Sequence, residues 1–179
     1  MDYRGHRPIC QTQKGGWCVK LYHGSLEIVE VPEIREPNRT LDYGSGFYTT
    51  TSFRQAEDWV RRKMKETSVD CGFVNVFELD EEAMSRLNCL IFKSANEEWL
   101  DFVMMNRTQR GFIHSYDIVY GPVANDRVYA AFALYEGGLL SKQSLIAELK
   151  TYKLVDQYLF HSHDSLETIT FIEAKEVSK

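Results

Sequence analysis

Gly72-Phe73-Val74-Asn75-Val76-Phe77-Glu78-Leu79 reads as an alternating strand rich in β-branched and aromatic residues, and what flanks it decides the fold. Upstream, Phe53–Glu66 has helical spacing, with Ser52 as its N-cap and Gln55 as the capping-box partner; Ala56, Trp59, Val60 and Lys63 fall on one stripe. Two short strands precede that helix. Cys18–Tyr22 runs into a polar turn, His23-Gly24-Ser25, and Gly46–Thr51 follows after a proline-bearing, charged loop from Pro32 to Tyr43. Downstream come a short helix at Glu81–Leu87, a strand at Cys89–Phe92 and a helix at Asn96–Asn106 capped by Ser94. A strand at Tyr116–Tyr120 stops at Gly121-Pro122. Helices follow at Arg127–Glu136, closed by Gly137-Gly138, and at Ser141–Lys150, with Ser141 as cap, before the last two strands at Asp156–Phe160 and Thr168–Val177. Strands and helices do not alternate, so the fold class expected is α+β rather than a doubly wound parallel sheet.

One domain accounts for the 179 residues, with 1–17 as an N-terminal extension and 18–179 as the folded unit. An apolar share of 44% is enough to build a core and argues against disorder. The net charge of −5 argues against a tight, sequence-independent grip on nucleic-acid phosphates. The basic strip Arg61, Arg62, Lys63 and Lys65 reads as a solvated helix face, with a local phosphate contact as the other reading. Cys10, Cys18, Cys71 and Cys89 make no CxxC pair, so reduced structural thiols of a cytoplasmic protein are expected. No signal peptide, anchor or membrane-length apolar run is expected. His161 and His163 would share a strand face beside Asp164 and could take a metal, although surface or site histidines are the plainer reading and no metal is assigned.

Three segments carry chemistry. In Tyr22-His23-Gly24-Ser25 an imidazole stands at a strand end beside a residue with no side chain, where the backbone can approach a flat ligand, or the histidine is simply structural. Asp42-Tyr43-Gly44-Ser45-Gly46-Phe47-Tyr48 precedes a strand rather than a helix, so its GxG is not a dinucleotide fingerprint. Tyr48 and Trp59 could face one cleft and sandwich an aromatic ring, or be core. Asp156-Gln157-Tyr158-Leu159-Phe160-His161 opens a late strand with polar residues.

Together, Tyr22-His23-Gly24-Ser25, Gly44-Ser45-Gly46-Phe47-Tyr48 and Gln157-Tyr158 resemble the ADP-ribosyltransferase superfamily, in particular its diphtheria-toxin and poly(ADP-ribose)-polymerase branch with His, Tyr and Glu. More narrowly, the chain from Val19 to Val177 looks like a bacterial family known as a domain of unknown function, through Tyr116–Ala124 and Asp101–Arg107. The resemblance implies a split pair of mixed β-sheets with flanking helices and NAD as substrate, with no metal. It implies that His23 bonds the nicotinamide ribose, that Gly24 holds the carboxamide with help from Ser25, and that Tyr48 and Trp59 stack on nicotinamide. Gln157 falls where the branch carries its catalytic glutamate and supplies a hydrogen bond without the charge. Asp117, Asp126 and Asp156 are the carboxylates that could replace it, or are turn and strand-end residues. Arg107 could hold a phosphate, or be a helix-end surface arginine. The expected activity is transfer of ADP-ribose from NAD to a protein or nucleic-acid acceptor, as a toxin-like effector with a possible antidote protein. The alternative is a non-catalytic NAD- or ADP-ribose-binding or protein-interaction module of the same fold. Glu33–Tyr43 and Arg107–Ser115 are where an acceptor would touch.

Overall fold

A computed structural model describes residues 9–11, 17–35, 41–109, 111–123, 126–152 and 154–179. In chain order these form β1 (Ile9–Gln11), β2 (Trp17–Ser25), β3 (Phe47–Thr49), α1 (Phe53–Thr67), β4 (Cys71–Asp80), α2 (Glu81–Met84) and β5 (Cys89–Ile91). Then follow α3 (Glu97–Thr108), β6 (Ile118–Val123), α4 (Asp126–Glu136), α5 (Lys142–Leu149), β7 (Val155–Phe160), α6 (His163–Leu166) and β8 (Ile169–Ser178). The fold is α+β, with two four-stranded sheets among the described residues. The first has the order β1-β2-β4-β8 and is antiparallel throughout. The second has the order β3-β7-β6-β5 and is mixed, because β5 and β6 run parallel. No helix among the described residues is long and apolar enough to cross a membrane.

Three apolar layers follow from which face each strand residue presents. Leu21, Phe47, Phe77, Leu79, Ile118 and Phe160 are buried together between the two sheets. On the outer face of the first sheet, α1 packs Ala56, Val60 and Met64 against Val74 and Val177. Helices α3 to α5 cover the second sheet, packing Trp99, Val103, Phe132 and Leu145 around Tyr43, Val119 and Leu159. Strand β4 is therefore buried on both faces, with a register irregularity between Val76 and Phe77, rather than half-exposed as simple alternation implies.

Several boundaries differ from expectation, each for a local reason. His23-Gly24-Ser25 is strand and not turn, because it pairs in register with Asn75, Val74 and Phe73. Ile9–Gln11, within the expected extension, pairs with Trp17–Val19. Asn96 rather than Ser94 caps α3, accepting from the Trp99 N–H at 2.9 Å. Ser52 does cap α1 by accepting from the Gln55 N–H, but the return half of the box is absent. The Ser52 N–H donates to Thr50 Oγ1, and Gln55 Oε1 is buried without a partner among the described residues. On α1, Met64 completes the buried stripe, while Trp59 and Lys63 sit on its flank and line a cavity.

Candidate functional site

The sheets touch at one isolated antiparallel bridge, Tyr22 to Thr50, where each N–H donates to the other's carbonyl at 2.8 and 3.0 Å. Beside this bridge a cavity of about 850 Å³ opens along the edges of β2 and β3, within the ~300–1,000 Å³ common for small-molecule sites. In an antiparallel ladder a residue's N–H and C=O point to one edge, and the edge alternates along the strand. Tyr22 spends its pair on Thr50. Gly24, two residues on, therefore presents its N–H and C=O to the same edge, where no strand pairs with it among the described residues.

A Cβ at Gly24 would lie 2.5 Å from the Ala56 carbonyl oxygen, 3.0 Å from Val60 Cγ2 and 3.1 Å from Trp59 Cδ1. The absent side chain is thus filled by helix α1, and it is the strand's edge, not its face, that is left for a ligand. Trp59 reaches the cavity over this face of β2, with Arg62 and Lys63 lying 4.9 and 5.1 Å from the centre of its ring. Ser25 also lines the cavity, and its hydroxyl oxygen accepts the Glu27 N–H at 3.2 Å.

His23 projects from the opposite face of β2. Its ring stacks on Phe47 with centroids 4.3 Å apart, and Nδ1 lies 2.7 Å from the Tyr48 carbonyl. A carbonyl can only accept, so Nδ1 carries the proton and Nε2 is left as an acceptor. Burial lowers the His23 pKa below its usual 6.5; the bond to Tyr48 opposes the shift, and the Arg35 charge adds to it.

Tyr48 and Gln157 come from the helix-covered face of the second sheet, since Tyr48 stands across from Leu159 and Gln157 shares that residue's face. Both line the same cavity as His23 and Trp59. The Tyr48 hydroxyl donates to the Gly44 carbonyl at 2.6 Å and accepts the Tyr43 N–H at 3.3 Å, so the phenol ties its own turn. Gln157 is 8% exposed and abuts the Tyr43 hydroxyl, which accepts from Trp99 Nε1 at 2.8 Å and donates to the Pro122 carbonyl at 2.6 Å. Burial pushes the Tyr43 phenol well above its usual range; the bond from Trp99 works against that shift, and the Asp42 charge adds to it. Thr49 Oγ1, Gln55 Oε1 and Gln157 Nε2 are buried, have no partner among the described residues, and all belong to residues lining this one cavity. Each such atom costs roughly 1–3 kcal/mol.

The carboxylates considered as substitutes for glutamate are occupied or elsewhere. Asp156 accepts from Thr50 Oγ1 at 3.1 Å, from the Thr51 N–H at 2.8 Å and from Thr51 Oγ1 at 2.6 Å, which fixes the β3–α1 turn. Asp117 accepts the Asn88 N–H and is not part of the cavity wall. The Asp126 side chain lies outside the described residues. Arg107 lines the cavity but is not a loose surface residue: it faces Asp42 at 3.7 Å and Glu136 at 4.0 Å and lies over the Phe132 ring.

Two histidines meet here, of which His114 carries no local signal in the sequence and His161 stands out only beside His163. His114 Nε2 donates to the Tyr43 carbonyl at 2.8 Å, and its Nδ1 accepts the Tyr116 N–H. His161 Nδ1 donates to the Ser45 carbonyl at 2.6 Å, and the two rings lie 4.3 Å apart. They clamp the Gly44–Gly46 turn that delivers Tyr48. His161 is thus bonded to the turn, His163 is exposed on α6, and among the described residues no cluster of His, Cys, Asp and Glu could hold a metal ion.

A family model described as protein of unknown function (DUF3990) matches residues 19–171. No curated protein and no solved structure matches the chain.

Proposed function

The chain belongs to the DUF3990 family, whose description states no function, and we propose that it binds NAD beside the β2–β3 bridge and transfers ADP-ribose from it to an acceptor. The observation that carries this reading is the outward edge of Gly24, one N–H and one C=O side by side, which complements the C=O and NH₂ of a carboxamide. Around that edge, His23 Nε2 accepts from a ribose hydroxyl, Trp59 and Tyr48 supply flat walls, and Gln157 Nε2 donates to a ribose oxygen. Arg107, Arg62 and Lys63 bring positive charge to the cavity wall for the pyrophosphate. The resemblance to ADP-ribosyltransferases implies the same roles for His23, Gly24, Tyr48, Trp59 and Gln157.

The reaction breaks the bond between C1′ and the nicotinamide nitrogen. The electron pair leaves with nicotinamide, and the acceptor's lone pair forms the new bond to C1′. Positive charge develops on the ribose, and Gln157 offers it a dipole rather than a carboxylate. Removing one preorganised electrostatic partner costs ~10²–10³ in rate, so turnover is slow. That same observation favours a second reading, a module of this fold that binds NAD or ADP-ribose without cleaving it.

Calorimetry with NAD, followed by chromatography of released nicotinamide, tests both. The transfer reading expects NAD binding, slow nicotinamide release, and loss of both in Trp59→Ala. Binding without release leaves the module. An absence of NAD binding by the folded protein overturns both readings.

A further inference from the structure

Ser25 is followed by Leu26–Arg35, a strap without regular hydrogen-bonded structure that runs beside the cavity, with Val29, Glu33 and Arg35 in its lining. Its sequence repeats every three residues: Glu27-Ile28-Val29, Glu30-Val31-Pro32, Glu33-Ile34-Arg35. The structure sorts the first two triplets by column, whereas in the third Ile34 is half-buried and Arg35 is exposed. The glutamates Glu27, Glu30 and Glu33 are exposed, and beside them Ile28 and Val31 are 51% and 75% exposed, whereas Val29 and Pro32 turn inward and are half-buried. Ile28 and Val31 thus offer exposed aliphatic surface near the cavity, which an apolar side chain of a partner could cover.

The strap is also held in place. The fully buried Asn75 accepts the Val29 N–H at 2.9 Å and donates to the Glu27 carbonyl at 3.2 Å, pinning the strap to the centre of the first sheet. Arg35 pairs with Glu33 at 3.4 Å. Among the described residues no ion pair involves Glu27 or Glu30. Glu27 and Glu30, with Ile28 and Val31, are thus left exposed on a strap anchored at Glu27 and Val29, next to a cavity whose lining residues include buried polar atoms without a partner among the described residues.

We propose that Leu26–Arg35 docks an extended polypeptide segment carrying cationic and apolar side chains, and so presents a protein, not a nucleic acid, to the cavity. Charge decides the class of partner. Lysine or arginine side chains would meet Glu27 and Glu30, with apolar neighbours covering Ile28 and Val31, whereas a phosphate backbone would be repelled by the same carboxylates. That the docked protein is the acceptor of ADP-ribose rests on the transfer reading; the docking itself does not.

The test uses the full chain without NAD, by fluorescence anisotropy. The probe is a labelled peptide of repeated Lys-Leu-Gly triplets, compared with an oligouridine of equal length. The wild type is expected to bind the peptide more tightly than the RNA, with affinity falling as salt rises. Glu27→Gln/Glu30→Gln and Ile28→Ser/Val31→Ser should each weaken peptide binding by roughly fivefold or more. Glu173→Gln/Glu176→Gln, which removes the same charge from exposed positions of β8, should leave it unchanged. Equal weakening by the β8 pair, no weakening by the strap pairs, or tighter binding of the oligouridine overturns the proposal. Strap-dependent peptide binding by a protein that releases no nicotinamide would leave the docking intact and sink only the transfer reading.

Discussion

A methyl group added at Gly24 tests the geometry on which the site depends. In Gly24→Ala the new carbon would start 2.5 Å from the Ala56 carbonyl oxygen and 3.0 Å from Val60 Cγ2. The first of these atoms is helix backbone and cannot rotate away, so α1 must shift by about an ångström to reach ordinary contact. Overpacking of this kind costs ~1–3 kcal/mol. For a chain of this size that is a fall in melting temperature of about 2–4 °C per kcal/mol, or ~4–8 °C for a mid-range cost. The shift also carries Trp59, whose Cδ1 lies 3.1 Å from the added carbon, so NAD binding should weaken with stability. Thermal unfolding followed by circular dichroism measures the first effect and calorimetry the second. Gly111→Ala is the control: its φ is +78° and nothing lies within 4 Å of the added carbon, leaving only backbone strain of ~1–2 kcal/mol. If Gly24→Ala melts within a degree of the wild type while binding NAD normally, the close approach of α1 to β2 is wrong, and with it the account of the ligand edge.

Two other perturbations address the parts that hold the site. The pKa values of His23 and His114 are lowered, chiefly by burial, so the unfolded chain takes up protons before the folded one does. Their contribution to stability is complete above about pH 6.5 and is lost as pH falls below it. Urea midpoints should therefore drop between neutral and mildly acidic pH, less steeply in His114→Asn, and a flat profile across that window would contradict the burial of these rings. Asp156→Asn keeps the shape of a side chain that takes three bonds from Thr50 and Thr51 but removes its charge; denaturant unfolding should show a loss of about 1.5–3 kcal/mol, and an unchanged midpoint would mean that the β3–α1 turn does not depend on Asp156.

What could be read along the chain was whatever depends on neighbours in sequence. The spacing of apolar residues locates α1 and α3, Ser52 and Ser141 are caps because their side chains reach the third residue on, and the helix and strand order implies an α+β fold. His23, Gly24, Tyr48, Trp59 and Gln157 stand out together by resemblance and Arg107 by its chemistry, and the structure places all six around one cavity. Their mutual orientation was not legible. Trp59 and His23 enter over opposite faces of β2, and Tyr48 enters from behind the second sheet, because strand pairing between distant segments sets which way each side chain points.

The sequence by itself determined most of the helices and strands, the glycine beside His23 and the neutral side chain at Gln157, since each is a matter of local pattern or residue type. Only the tertiary structure decided that Gly24 is bare because α1 fills its face, that Asp156 is spent on Thr50 and Thr51, and that His114 and His161 grip the turn before Tyr48. The physical reason is that burial and hydrogen-bond partnership belong to pairs of residues far apart in the chain. No window of sequence holds both members of such a pair.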